Sequence, residues 1–160
     1  MKKAVVTGAT GCIGLNLVEN LIESGEWEVT AIVRPTSDLG RLSRLSRFEG
    51  LTVMSVELLS REAIARGIQP GTDTVFHVAA NTSHHSADAA EQFGSNVIAT
   101  RLIAERCREA KIRRLVFTST AATSPYQYMD RERVERSVKN NYIRTKRLAE
   151  LEVERALLGN

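Results

Sequence analysis

A tyrosine and a lysine placed four residues apart, Tyr142 and Lys146 in the segment NNYIRTK, have the chemistry needed for proton transfer. Positions i and i+4 lie on one face of a helix, so the two side chains are expected to project together. A free tyrosine titrates near pH ~10, and an adjacent ammonium makes its phenol a usable proton donor or acceptor closer to neutrality. The structural alternative is a tyrosine packed against the lysine stem, because this spacing also occurs by chance on many helices.

The segment TGATGCIG places three glycines three residues apart, directly after a predicted strand and at the opening of a predicted helix. A tight turn, a close backbone approach to a pyrophosphate and close packing of helix on strand each require a residue without a Cβ atom. The helix N-terminus also offers free N–H groups to an anion. We therefore predict a dinucleotide-binding loop rather than an ordinary glycine-rich turn. Its predicted contact residues are Gly8, Gly11, Cys12, Ile13 and Gly14.

About twenty residues beyond the last of these glycines, a dinucleotide site usually has an acidic residue for the ribose 2′-hydroxyl or an arginine for a 2′-phosphate. Arg34, in the segment AIVRPTSD, occupies that place. A guanidinium binds phosphate through paired hydrogen bonds, and Ser37 adds a further donor. The pattern favours NADP as the cofactor, with NAD as the alternative. The structural alternative is that Arg34 is a surface arginine that precedes a turn proline and has no role in cofactor binding.

Short β-branched runs alternate with longer helical patterns along the chain. Strands separated by helices of crossover length run parallel, and right-handed crossovers predict an α/β, doubly wound, Rossmann-like sheet. We expect five strands in the order 3-2-1-4-5, with Gly159 as the C-cap of the last helix. The predicted strands are KAVVTG, EVTAIVR, LTVMSV, DTVFHVAA and RRLVFTST, and the long helices are GCIGLNLVENLIESG, DAAEQFGSNVIATRLIAERCREAKI and NYIRTKRLAELEVERALLGN.

Composition restricts the class of protein. The 160 residues have room for one well-buried core, so residues 1–160 are predicted to be a single dinucleotide-binding domain without a substrate domain. No apolar run approaches the ~18 residues of a membrane span, and no secretory segment is predicted. Interspersed charges and a net charge of only +3 argue against a nucleic-acid partner. Cys12 and Cys107 are far apart, which fits a cytoplasmic protein with reduced thiols.

The order of these features resembles the extended branch of the short-chain dehydrogenase/reductase superfamily. TGATGCIG resembles the TGxxGxxG motif of that branch and YIRTK its YxxxK motif, while TVFHVAA, SNVIAT and LVFTSTAA resemble its internal landmarks. VRPTSD and the hydroxyl-rich end of the fifth strand are most similar to dihydroflavonol-reductase-like proteins and NAD-dependent epimerase/dehydratases. In a doubly wound sheet the carboxyl ends of the strands face one crevice, so these segments are expected to converge.

The resemblance implies catalytic roles by position. Tyr142 would be the general acid/base, and Lys146 would hold the nicotinamide ribose and tune the tyrosine. The substrate-orienting hydroxyl would belong to Thr120, with Ser119 as the alternative. In the resembling reductases the tyrosine gives a proton to a carbonyl oxygen while the nicotinamide gives hydride to its carbon, and alcohol oxidation is the reverse.

The resemblance also implies further cofactor contacts. Ala79 and Ala80 follow the fourth strand, and Glu57 stands after the third strand where the family commonly has an aspartate that contacts adenine. Asn96 matches a helix asparagine whose role is more structural than chemical. The two long C-terminal helices commonly pair across a dimer in this family, so a homodimer is a candidate assembly.

Three functions are consistent with these features. The first is an NADP(H)-dependent oxidoreductase that acts on a small ketone or alcohol. The second is an epimerase or dehydratase that acts on a nucleotide sugar and returns the hydride to its substrate. The third is a cofactor-binding domain without turnover, because members of the branch are longer than this chain and their C-terminal part supplies a substrate-binding region.

Other reactive residue types are predicted to be structural. His77 lies in a buried-strand pattern, and His84 and His85 lie in a loop without an acidic partner, so no metal site is predicted. Cys12 is expected to be a small packing residue within the glycine loop. Arginines that recur every three residues in RLSRLSRF are expected to form a solvated basic face; these are Arg41, Arg44 and Arg47.

Overall fold

A sheet of five strands in the order β3-β2-β1-β4-β5 forms the centre of the protein. The computed structural model describes residues 1–45, 47–83 and 88–158. All neighbouring strands are parallel, which confirms the fold class and the strand order predicted from the sequence. The strands are β1 (Lys2–Thr7), β2 (Trp27–Val33), β3 (Leu51–Ser55), β4 (Thr74–His77) and β5 (Arg114–Phe117), and the helices are α1 (Cys12–Glu23), α2 (Arg61–Gly67), α3 (Ala89–Phe93), α4 (Ala99–Glu109), α5 (Arg131–Ser137) and α6 (Asn141–Leu158).

Side-chain alternation along β1 divides the core into two layers. Ala4 and Val6 pack on one side of the sheet with Val18 and Ile22 of α1, whereas Val5 packs on the other side. Successive residues of a strand point to opposite faces, so a strand covered on both faces needs an unbroken apolar run. The run in KAVVTG therefore reflects burial on both faces.

Helices α2 and α4 cover the second side of the sheet. Ile64 of α2 and Ile103 and Cys107 of α4 are buried there together with Val75 of β4. Ile103 and Cys107 are one helical turn apart and therefore share one apolar face of α4. This layer fixes the distance between α4 and the carboxyl end of β4.

The helix predicted between β4 and β5 contains a change of winding. α3 passes into a π-helical turn at Gly94–Ile98, and α4 continues from Ala99. Single π turns inside α-helices are rare and are frequent at functional sites. Two short helices, α2 and α5, add to the predicted elements. Among its described residues, RLSRLSRF contains a 3₁₀ turn at Leu42–Leu45. Gly159, the predicted C-cap, lies outside the described residues.

Helix α6, with 18 residues, packs against α4 and α5. Arg155 pairs with Glu105 of α4 at 3.2 Å, and Arg131 of α5 pairs with Glu152 at 2.8 Å. Partly exposed ion pairs contribute little, so the apolar contacts carry most of this anchoring. None of the helices in the described part of the chain is both long and apolar enough to cross a membrane. The buried apolar residues around α6 are Val97, Val134, Val138 and Leu148.

We expect Ile103→Ala to destabilise the protein by about 2–5 kcal/mol, because the side chain is fully buried and its removal leaves a cavity. Urea denaturation followed by circular dichroism measures the free energy of unfolding. Leu157→Ala is the control, since Leu157 is 77% exposed and its truncation should change stability by less than about 0.5 kcal/mol. Equal effects of the two substitutions would contradict the assignment of Ile103 to the core.

Candidate active site

A cleft of about 460 Å³ opens where β1, β2 and β4 end. Ten of the positions predicted for cofactor contact line it, whereas Lys146 does not. Nine further lining residues were not predicted, and most of them neighbour a predicted one in the chain. Ser95 and Ala99 come instead from the π turn and the start of α4. The ten predicted residues are Gly8, Gly11, Cys12, Ile13, Gly14, Arg34, Ser37, Glu57, Ala79 and Ala80, and the nine others are Thr10, Ile32, Val33, Leu58, Leu59, Val78, Asn81, Ser95 and Ala99.

The backbone around the glycine loop is packed so closely that it excludes side chains at two positions. Gly8 has a φ of +71°, and a Cβ atom there would lie 2.7 Å from the backbone nitrogen of Ala79. A Cβ atom on Gly14 would lie 2.2 Å from the carbonyl oxygen of Gly8. Gly11 precedes α1 without a side-chain cap, so the first turn of the helix presents its N–H groups toward the cleft. The loop therefore fits an anionic group held by backbone N–H donors.

Arg34 and Ser37 form the wall of the cleft beyond β2. The backbone N–H of Arg34 donates to Ser37 Oγ at 3.1 Å, and the N–H of Ser37 donates to the Arg34 carbonyl at 3.0 Å. This turn holds both side chains at the cleft, with the Arg34 side chain exposed. Within residues 1–45, 47–83 and 88–158 its guanidinium forms no ion pair. It is therefore available to an anionic ligand.

Lys146 is buried beneath the turn that follows β5. Its ammonium donates to the carbonyl of Thr118 at 2.6 Å and lies 4.3 Å from the centre of the Phe117 ring. Burial lowers the pKa of Lys146 to about 8, and the carboxylate of Glu150 opposes that shift. Tyr142 precedes it by one helical turn and is half-buried, so the two residues share a face of α6 as predicted.

The two hydroxyls proposed for substrate contact have different partners. The Ser119 hydroxyl donates to the carboxylate of Glu150. Thr120 Oγ1 instead accepts from the N–H of Ala122 at 3.4 Å, as the cap of the 3₁₀ turn Ala121–Tyr126. Among the described residues no acceptor takes the Thr120 hydroxyl proton, whereas the Ser119 hydroxyl proton is taken by Glu150.

Glu150 joins the turn after β5 to helix α6. Besides Ser119, it accepts from the hydroxyl of Thr123 at 2.8 Å and from Arg147 at 2.9 Å. Glu150 is not among the predicted site residues, although its position four residues after Lys146 puts it on the same helix face. Lys146 and Glu150 together therefore hold the 118–123 segment in place through its backbone and its hydroxyls.

Asn96 links α6 to the wall of the cleft. Its side-chain nitrogen donates to the carbonyl of Asn81 at 2.9 Å and to Thr145 Oγ1 at 3.1 Å, and its oxygen accepts from the Asn81 N–H at 2.7 Å. Asn81 lines the cleft, and Thr145 lies between Tyr142 and Lys146. The structural role predicted for Asn96 thus takes the form of a brace between the cleft and the tyrosine helix.

The histidines and cysteine that were predicted to be structural have different environments. His77 is fully buried, as its strand pattern predicts. Cys12 is exposed at the start of α1 and lines the cleft, so the expectation that it is a small packing residue is wrong. Within the described ranges no group of three or more metal-ligating side chains occurs. His84 and His85 lie outside those ranges.

The family of the chain follows from comparison with known proteins. The sequence matches the NAD dependent epimerase/dehydratase family over residues 4–157. The chain therefore belongs to this family, and the resemblance of its motifs is confirmed. Family membership supports the binding of a dinucleotide cofactor.

Individual relatives are longer than this chain. Sterol demethylase protein B of Methylococcus capsulatus is 37% identical over 118 residues, which cover 72% of this chain and 34% of that protein. A putative dihydroflavonol 4-reductase of Synechocystis is 35% identical over 117 residues, with coverage of 73% and 32%. The structure of the UDP-Glc/GlcNAc 4-epimerase of Campylobacter jejuni matches with a TM-score of 0.82 at 17% identity and covers 100% of this chain and 50% of that one. The chain thus spans about a third of the curated relatives that it matches.

We expect Lys146 to titrate near pH 8, below the 10.5 of an ordinary lysine, because burial disfavours its charged form. The Cε signal of ¹³C-lysine-labelled protein, assigned with Lys146→Arg, reports the titration. Glu150→Gln should lower the pKa further, since the carboxylate raises it. Glu154→Gln is the control, because Glu154 pairs with Arg147 instead.

The lowered pKa of Lys146 determines whether its titration raises or lowers the free energy of unfolding as the pH rises. The cost of burying the ammonium is present below about pH 8, where folded and unfolded chains are both protonated. Between about pH 8 and 10.5 the unfolded chain binds the extra proton, so this group makes the free energy of unfolding rise with pH. Titration of Lys146 at its ordinary value would contradict the burial of its ammonium.

Proposed function

We propose that this chain binds NADP(H) and forms the cofactor-binding and catalytic part of an oxidoreductase that acts on a small ketone or alcohol. The observation that carries the proposal is the convergence of the glycine loop, Arg34 and Ser37 on one cleft that Asn96 connects to the helix of Tyr142 and Lys146. Membership of a family described as NAD dependent supports the dinucleotide. The similarity to a putative dihydroflavonol 4-reductase supports a reductase.

The cleft residues fit the successive parts of a dinucleotide. The N–H groups at the start of α1 would bind the pyrophosphate, and the absence of side chains at Gly8 and Gly14 leaves room for that approach. Arg34 and Ser37 would bind the 2′-phosphate of NADP, and Glu57 would contact the adenine.

The chemistry of the site follows from three side chains. When bound, the nicotinamide cofactor would supply a hydride to a substrate carbonyl carbon, or take one from the alcohol in the reverse direction. Tyr142 would give its phenolic proton to the carbonyl oxygen, and Thr120 would orient that oxygen through its hydroxyl proton. Lys146 would stabilise the phenolate left on Tyr142 and bind the nicotinamide ribose. Its lowered pKa keeps it close to the pH at which such proton transfer occurs.

We expect Arg34→Ala to weaken NADPH binding roughly tenfold to a hundredfold, because hydrogen bonds to a charged group contribute about 1.5–3 kcal/mol. NADH, which lacks the 2′-phosphate, should bind the variant and the unchanged protein equally. Nicotinamide fluorescence measures both dissociation constants. Arg113→Ala removes an exposed arginine just before β5, at the opposite end of the sheet, and serves as the control.

Each outcome of this titration has a separate meaning. An equal loss of NADPH and NADH affinity in Arg34→Ala would refute the phosphate contact while leaving the dinucleotide site intact. Failure of the unchanged protein to bind either nucleotide at millimolar concentration would refute the proposed function for this chain.

We expect Tyr142→Phe to lower turnover by at least about a hundredfold, because it removes the general acid/base while keeping the ring. NADPH affinity should stay unchanged. Nicotinamide absorbance measured with panels of ketones, alcohols and nucleotide sugars follows the reaction, and Tyr128→Phe is the control because Tyr128 is 90% exposed. If a nucleotide sugar is converted to product without net cofactor turnover, the proposed oxidoreductase activity is refuted in favour of an epimerase or dehydratase. Undiminished turnover in Tyr142→Phe would refute the role of the tyrosine.

A further inference from the structure

A chain of buried hydrogen bonds runs through His77, between the glycine loop and helix α4. Thr7 Oγ1 lies 2.7 Å from His77 Nδ1, and His77 Nε2 lies 2.9 Å from Thr100 Oγ1. All three residues are at most 1% exposed. The chain continues at both ends, because Ala79 N–H donates to Thr7 Oγ1 at 3.2 Å and the Thr100 hydroxyl donates to the Asn96 carbonyl at 2.6 Å.

Counting hydrogens assigns the direction of each bond. The single hydroxyl hydrogen of Thr100 points to the Asn96 carbonyl, so its oxygen must accept from His77 Nε2–H. Nδ1 of the neutral ring is then an acceptor and takes the hydroxyl hydrogen of Thr7, whose oxygen accepts from Ala79. This one arrangement satisfies every polar group in this series of hydrogen bonds through His77.

The other protonation states leave a buried group without a partner. If Nδ1 carried a hydrogen, Thr7 Oγ1 would accept from both His77 and Ala79, and within the described residues no acceptor would remain for its own hydrogen. An unpaired buried donor costs about 1–3 kcal/mol. The imidazolium carries that same hydrogen and also faces the ammonium of Lys146 on α6, the charged group that acts on it. Burial and Lys146 lower the pKa of His77 to about 3.

We propose that His77 is a positioning residue, held as the neutral Nε2–H tautomer, which fixes the segment carrying Ala79 to the glycine loop on one side and to α4 on the other. The segment that it fixes is the one that approaches Gly8 most closely and lines the cleft with Ala79. Its effect on NADPH affinity rests on the proposed function, whereas the tautomer and the position of Ala79 do not.

The first test needs no cofactor. Long-range ¹H–¹⁵N correlation spectra of histidine-labelled protein, with His77 assigned through His77→Phe, distinguish the two tautomers and the imidazolium. We expect the Nε2–H pattern, unchanged between about pH 5 and 8, a range that spans the ordinary histidine pKa. Thr100→Ser keeps the acceptor and should keep this pattern, whereas Thr100→Val removes it and should disturb it. An Nδ1–H pattern, or formation of the imidazolium in this range, would overturn the proposal.

The second test asks whether the ring sets the position of Ala79. In His77→Phe, which keeps an aromatic ring beside Phe117 but no nitrogen, we expect faster hydrogen exchange of the Ala79 amide and NADPH affinity lower by roughly fivefold to thirtyfold. His77→Asn keeps an acceptor near the Nδ1 position and should restore part of both. Wild-type exchange at Ala79 in His77→Phe would refute the positioning role, even if no nucleotide binds. If the His77 variants do not fold, the tautomer of the unchanged protein still decides the proposal.

Discussion

The close contact between the turn after β1 and the segment after β4 is the constraint on which the rest of the cleft depends. Gly8 reaches Ala79 so closely that a single Cβ atom would separate the two segments. This contact lets the N-terminus of α1 point into the cleft, since the chain must reverse within a few residues of the strand end. It also explains why the polar groups beneath it, in Thr7 and His77, must satisfy each other without water.

Helix α6 reaches this region through contacts of a different kind. Lys146 and Glu150 hold the segment after β5, and Asn96 connects Thr145 to the cleft wall. The same helix is anchored away from the site by apolar packing around Leu148. Tyr142 and Lys146, whose side chains can transfer protons, therefore lie on a rigid helix whose orientation is fixed at several points along its length.

The sequence predicts the parts of this structure that local patterns encode. Apolar runs, crossover lengths and the spacing of Gly8, Gly11 and Gly14 identify the strands, their order and part of the cleft lining. Helix α2 was not predicted from the sequence pattern, because it is short and buries only three residues. The hydrogen bond that distinguishes the environment of Ser119 from that of Thr120 is made with Glu150, which lies 31 residues from Ser119 in the chain. Contacts of that kind arise from packing between elements, so no local spacing reveals them.

The π turn at Gly94–Ile98 has a consequence for how this region tolerates sequence change. Each residue of an α-helix is rotated by about 100° from the one before it, so one residue added to a turn changes which side chains face the sheet. Ser95 meets the cleft within the turn, and Ile103 meets the core after it. Deleting one residue here would rotate the whole of α4 relative to α3, whereas exchanging a side chain would leave both faces in place. Length is therefore more tightly constrained in this turn than residue identity.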